Sequence, residues 1–202
     1  MGITPQQFEQ MRNRVTGGPR KPRAVFDPVL PAGRSVHQVI LGVDPSLRGT
    51  GFGVIRLAKP QPSVLTHGTI RCPPAWERSR CLVKIAEALR DVLTRHQPTV
   101  CIVEALFYAQ NLQTALLLGE ARGASLVTAA EAGLEIFEMA PRKVKQAIVG
   151  YGAAQKTAVA KMVQRLLHLR EPPPPDAADA LALALAYAHE HGRFSVSPPK
   201  RI

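Results

Sequence analysis

Val39-Ile40-Leu41-Gly42-Val43-Asp44-Pro45 is a short, unbroken apolar run that stops on an acid and a proline. A run this short suits a strand, and its lack of alternation calls for cover on both faces of the sheet. Val100-Cys101-Ile102-Val103-Glu104 repeats the pattern and also stops on an acid. Two such strands lying side by side and parallel bring Asp44 and Glu104 to one sheet edge. That edge, at the carboxyl ends of the strands, is where open α/β sheets bind ligands.

The rest of the chain builds outward from these two strands. A turn-rich loop, Ser46 to Gly51, leads into Phe52-Gly53-Val54-Ile55, and Val64 to Ile70 follows as a third strand. The connections are short, so the three strands form an antiparallel meander. Glu77 to His96 carries Leu82, Ile85, Ala86, Leu89, Val92 and Leu93 on one helical stripe, and Pro98 ends it. Asn111 to Ala132 reads as a second helix and Leu134 to Met139 as a fifth strand. Pro141 to Val149 and Lys156 to Leu169 are two basic helices. Pro172 to Pro175 is a rigid break, and Asp176 to His191 is a final helix of Ala and Leu. The order predicts an α/β fold with a five-stranded mixed sheet, its first three strands antiparallel, flanked by helices. Residues 1–36, with Gly17-Gly18-Pro19 and with Pro22, Pro28 and Pro31, read as a basic extension without a secretory signal. Residues 37–191 read as the folded domain and 192–202 as a basic tail.

Composition narrows the function. The 202 residues are 46% hydrophobic and 20% charged, which excludes fibrous and wholly disordered classes. No apolar run is long enough to span a bilayer. Cys72, Cys81 and Cys101 are too few for a disulfide scaffold and lack zinc spacing, so they are expected reduced in a cytoplasmic core. Lys and Arg number 26 against 15 Asp and Glu, a net charge of +11. From Met139 to Arg170 the chain holds Arg142, Lys143, Lys145, Lys156, Lys161, Arg165 and Arg170 and no acid. Such a field calls for a polyanion.

Against that background four acids stand out. Asp44 and Glu104 end the two buried strands, and Asp176 and Asp179 share a face of the last helix. Taken singly, Asp44 and Glu104 also fit ordinary strand-end positions, and the Asp176–Asp179 pair fits a helix cap and its dipole. If the last helix packs on the sheet edge, the four converge, and their mutual repulsion asks for divalent cations. Hard oxygen ligands select Mg²⁺ or Mn²⁺, and two such ions ~3.5–4 Å apart can hydrolyse a phosphodiester.

Five segments carry a family resemblance: Ile40 to Pro45, Gly51 to Ile55, Ile102 to Phe107, Leu118 to Gly123, and Asp176 to Ala182. Together, in order and spacing, they resemble the RuvC family of Holliday junction resolvases from about His37 to His189. The resemblance implies a ribonuclease H-like fold, a homodimer, and metal-dependent paired nicking of four-way DNA junctions during recombination and repair. It implies that Asp44, Glu104, Asp176 and Asp179 ligate two Mg²⁺ ions, with Mn²⁺ able to substitute. A bacterial cytoplasmic location and partnership with a branch-migration helicase complex follow from the same likeness. Ser46 stands where the family usually has glycine, so the loop and its neighbour Arg48 are expected to be placed differently.

The resemblance also marks residues that face DNA. Lys145, in Arg142-Lys143-Val144-Lys145-Gln146, and Lys156, after Gln155, look like the family's two lysines near the scissile phosphate. Arg142, Lys143 and Arg48 join them as backbone contacts. Phe107 resembles the aromatic inserted at the junction centre, with Tyr108 beside it as the alternative and a core role also open to Phe107. Gly119 and Gly123, four apart, let another helix approach closely, either across a dimer or within the chain. Other ribonuclease H-like nucleases, an actin-like kinase and a non-catalytic junction binder are the competing classes. The kinase needs two such domains, and a pure binder gains nothing from acids facing phosphate.

Overall fold

The computed structural model describes residues 37–105, 111–191 and 199–202. Phe107 and Tyr108 lie outside the described residues, as do the extension 1–36 and residues 192–198. The strands are β1 (Val39–Asp44), β2 (Gly49–Arg56), β3 (Ser63–Arg71), β4 (Val100–Glu104), β5 (Glu135–Met139) and β6 (Lys200–Arg201). The helices are α1 (Arg78–His96), α2 (Leu112–Glu131), α3 (Pro141–Val149), α4 (Lys156–Leu166) and α5 (Pro175–His191). The sheet order is β3-β2-β1-β4-β5-β6. β1, β2 and β3 are antiparallel, whereas β1–β4 and β4–β5 are parallel.

The expected sheet had five strands; the structure has six. The sixth comes from the supposed C-terminal tail, where Lys200 and Arg201 pair antiparallel with Glu138 and Phe137. Two basic residues carry no apolar period, so nothing local marks them as a strand. Their side chains pair instead with Glu138 and Glu135 on β5, at 3.2 and 3.1 Å. The fourth helix is also shorter than expected. It ends at Leu166, and His168 takes a left-handed φ of 50° that turns the chain away.

Helices cover both faces of the sheet. Alternate residues of each central strand point to opposite sides. Ile40, Val100 and Ile102 join the core under α3, α4 and α5. Leu41, Val43, Cys101 and Val103 join the core under α1 and α2. The three cysteines are buried and unpaired. No helix among the described residues is long and apolar enough to cross a membrane.

One contact governs where the last helix goes. The sequence makes the convergence of the four acids conditional on the last helix reaching the strand ends; α5 lies on β1 and β2, backbone against backbone, with its first turn at that edge. A Cβ on Gly42 would overlap the carbonyl oxygen of Ala180, and one on Gly51 would overlap that of Asp176. A Cβ on Gly53 would sit 2.6 Å from Cδ2 of Leu181. The seam is completed from the helix side by Ala177, Ala180 and Ala184, all fully buried. Only glycine on the strands admits a helix this close.

Gly42→Ala and Gly51→Ala are therefore expected to destabilise the fold by about 3 kcal/mol each, because the helix must lift to make room. Gly123→Ala, which meets nothing within 4 Å, is expected to stay within about 1 kcal/mol of the parent. Urea unfolding checks this; a Gly42→Ala variant as stable as the parent contradicts the seam.

Candidate active site

β1 and β4 are parallel neighbours in register up to Val43 opposite Val103. The next residues, Asp44 and Glu104, therefore finish side by side. The seam does the rest. It runs α5 so that its first turn crosses the same edge, with Asp176 over Gly49 and Gly51 of β2 and Asp179 one turn on.

Asp44, Glu104 and Asp179 form one electrostatic cluster. Burial, then the neighbouring Glu104 and Asp179 carboxylates, push the Asp44 carboxyl from 3.8 up to about 8. Burial likewise raises Glu104. The two share a hydrogen bond that favours the proton on Asp44, which donates to Glu104. Asp179 is satisfied differently, by an ion pair with Lys156 Nζ at 2.7 Å. That bond, with the three acids around it, raises the lysine against the opposing effect of burial. Lys145, half-buried on α3, adds a positive charge felt by Glu104.

The predicted residues do not all converge. Asp176 stands slightly apart, its Oδ2 over Gly49, and it does not figure among the charges that perturb Asp44 or Glu104. Among the described residues no three acidic, histidine or cysteine side chains enclose a point as a metal cage. The carboxylates are instead taken up by a shared proton and by Lys156. Lys143 is drawn to Glu190 at 3.0 Å, while Arg142 is exposed and packs its stem against Gly152. Gly119 and Gly123 have open space where a side chain would be. With the exposed Leu112, Leu116 and Val127, they line the outer side of α2 at helical spacing.

The first loop is tightly held. The Ser46 amide donates to Thr50 Oγ1 at 3.2 Å, and the Thr50 hydroxyl donates to the Ser46 carbonyl at 2.6 Å. Ser46 has no positive φ, so this backbone does not need the family's glycine. Arg48 is anchored through Nη1 to the Pro73 carbonyl at 2.6 Å and to Cys81 Sγ at 3.1 Å. Ser46, Arg48, Arg78, Gln113 and Thr114 line an open cleft of about 430 Å³ beside the loop.

Reading the sequence for acids and exposed bases passed over Arg122. Its guanidinium donates to the Glu104 carbonyl through Nη1 and to Glu138 Oε2 through Nη2 at 2.9 Å. Its side chain is 11% exposed. The available signal was its isolation, as Arg122 is the one base in the twenty residues of α2.

A mixed sheet of this order, flanked by helices and with acids at the ends of β1 and β4, defines a ribonuclease H-like nuclease fold. The family described as "Crossover junction endodeoxyribonuclease RuvC" matches residues 40–187. RuvC of Akkermansia muciniphila is 44% identical over 140 residues, covering 69% of this chain and 84% of that protein. RuvC of T. thermophilus, solved with a Holliday junction substrate, superposes with a TM-score of 0.74 at 34% identity, over 81% of this chain and all of the other. The yeast mitochondrial Holliday junction resolvase Ydc2 shares the fold, with a TM-score of 0.51 at 10% identity. The chain belongs to the RuvC family, whose nucleases are metal-dependent.

The acid cluster carries a stability cost with a definite sign. The folded Asp44 holds its proton up to about pH 8, against 3.8 for the unperturbed group. Its favourable contribution is complete below about pH 4 and is lost as pH rises through 8. Asp44→Asn removes that loss. Without divalent cations the variant is expected to melt several degrees above the parent at pH 8, with the gap closing toward pH 4. Calorimetry in a chelator checks this; an equal or lower melting point at pH 8 contradicts it.

Proposed function

We propose that this protein resolves Holliday junctions, nicking two symmetric strands of a four-way DNA junction by metal-dependent hydrolysis. The observation that carries the reading is the meeting of Asp44, Glu104 and Asp179 at one sheet edge of a strongly basic chain. Acids facing phosphate weaken DNA binding, so their gathering has a use only in chemistry on the backbone.

The donor set fits hard divalent ions: every side chain is a carboxylate, and the cluster already draws a proton and an ammonium to itself. Asp44, Glu104, Asp179 and Asp176 are the residues to hold Mg²⁺ or Mn²⁺. Two such ions would supply an activated water and stabilise the leaving 3′ oxygen. The protein's own part is to fix the carboxylates on rigid strand ends and one helix turn, without reorganisation during the reaction. Lys156 sits beside Asp179 and Lys145 beside Glu104, so each can offset charge gathering on the attacked phosphate. Arg142, Lys143 and Arg48 extend the basic surface as backbone contacts that set register, not sequence. Phe107 and Tyr108 follow Glu104 closely in the chain, which suits stacking on an unpaired base at the junction centre.

Two cuts of like polarity require two sites related by a two-fold axis. The outer stripe of α2, with Gly119, Gly123 and its exposed leucines, is the surface we assign to a second copy. A bacterial cytoplasmic setting and a branch-migration helicase as working partner accord with this activity. The extension 1–36 adds basic charge and is taken as dispensable for cleavage.

Asp44→Asn and Glu104→Gln are expected to lower cleavage of a synthetic four-way junction at least 10³-fold while gel-shift affinity in chelator stays within about threefold. Gly123→Leu is expected to shift the protein toward monomer in analytical ultracentrifugation and to uncouple the two nicks. An Asp44→Asn variant that cuts at the parent rate overturns the assignment.

A further inference from the structure

Glu104 is the last residue of β4, and strand ends are loosely held unless something ties them. β1 provides no ladder partner beyond this point, because the residue after Asp44 is Pro45, which has no N–H to donate. On the other side, the N–H of the same peptide, the Ala105 amide, donates to the Met139 carbonyl at 2.9 Å and leaves the Glu104 carbonyl facing the β1 side, where Pro45 has no donor. The Glu104 carbonyl therefore needs a donor from elsewhere, and Arg122 supplies it.

Arg122 reaches from α2 with both ends of its guanidinium engaged. Nη1 takes the Glu104 carbonyl and Nη2 takes Glu138 Oε2 on β5. The side chain is 11% exposed and its acid partner 22%. A guanidinium bridging two acceptors at this burial is stiff, and arginine's planar fork spans them where lysine's single point charge does not. Glu138 is itself held from its other oxygen by Lys200 of β6 at 3.2 Å. A continuous bonded path thus runs from the terminal strand through Glu138 and Arg122 to the backbone of Glu104.

We propose that Arg122 is a positioning residue for Glu104, fixing the end of β4 so that the carboxylate meets a divalent cation without reorganisation. Arg122 bonds the Glu104 carbonyl and Glu138 Oε2, so it acts through the Glu104 peptide group. The proposal rests on the reading of Glu104 as a metal-holding residue.

The same helix presents Gly119 and Gly123 on its outer side. Arg122, turned inward from α2, therefore joins the surface assigned to a second copy with the catalytic strand.

The test uses the full chain and three variants, Arg122→Ala, Arg122→Lys and Glu138→Gln. Mn²⁺ binding is read by electron paramagnetic resonance with no DNA present, and single-turnover cleavage of a four-way junction is read at saturating enzyme. Arg122→Ala is expected to bind Mn²⁺ at least fivefold more weakly and to cut at least tenfold more slowly, with junction affinity in chelator unchanged within threefold. Arg122→Lys and Glu138→Gln should fall between it and the parent. If Arg122→Ala does not fold, the Lys and Gln variants carry the same comparison. Parent-like Mn²⁺ affinity and cleavage in folded Arg122 variants overturn the positioning role. A parent protein that leaves junctions uncut overturns the proposed activity instead, so the two failures are distinguishable.

Discussion

The close approach of α5 to β1 and β2 sets where the acids of the site can stand. A helix normally rides on a sheet through a layer of side chains. Here Gly42 and Gly51 remove that layer, and peptide groups of Ala180 and Asp176 lie against the strands themselves. Backbone-to-backbone contact leaves little freedom in depth or rotation. The helix is placed by the strands, and so are the acids of its first two turns. Asp179 arrives beside Asp44 and Glu104 because the seam fixes the helix, and in spite of the repulsion between the three carboxylates.

That repulsion is the second organising fact. The fold keeps a carboxyl at the end of β1 mostly out of water and surrounded by like charge, so it retains a proton to about pH 8. Packing elsewhere must carry the cost, and both cores beneath and above the sheet are well filled. Lys156 relieves part of the strain through Asp179. A site that stores unfavourable charge in this way gains when a divalent cation arrives, which is how a destabilising arrangement becomes a functional one. The basic surface around it serves the opposite partner, the phosphate backbone. One chain therefore holds a small negative centre inside a broad positive field.

Much of this was legible in the sequence, and the reason is the buried sheet. Continuous apolar runs identified β1 and β4 as interior strands, and each run stopping on an acid identified the edge. Period and prolines likewise bounded α1, α3 and α5. What escaped reading depends on tertiary partners. β6 is two charged residues whose strand character comes from ladder pairing with Phe137 and Glu138 and from ion pairs to Glu138 and Glu135. Arg122 is unremarkable until the β4 carbonyl that needs it is known. At Ser46 the φ is not positive, and Thr50 closes the loop from both sides, a pairing no local pattern announces. How α5 is seated was not legible, because Gly42, Gly51 and Gly53 mark a seam only once the helix above them is known. Asp176 and Asp179, equivalent by spacing, are separated by what lies beneath each of them.

Crystals soaked in Mn²⁺ and measured at the manganese absorption edge decide whether the seam delivers the acids to one ion. An anomalous peak is expected within ligand distance of carboxylate oxygens from Asp44 and from α5 at once, with α5 still seated on Gly42 and Gly51. A peak bound only elsewhere on the molecule, or ions held by Asp44 while the acids of α5 face away, contradicts it.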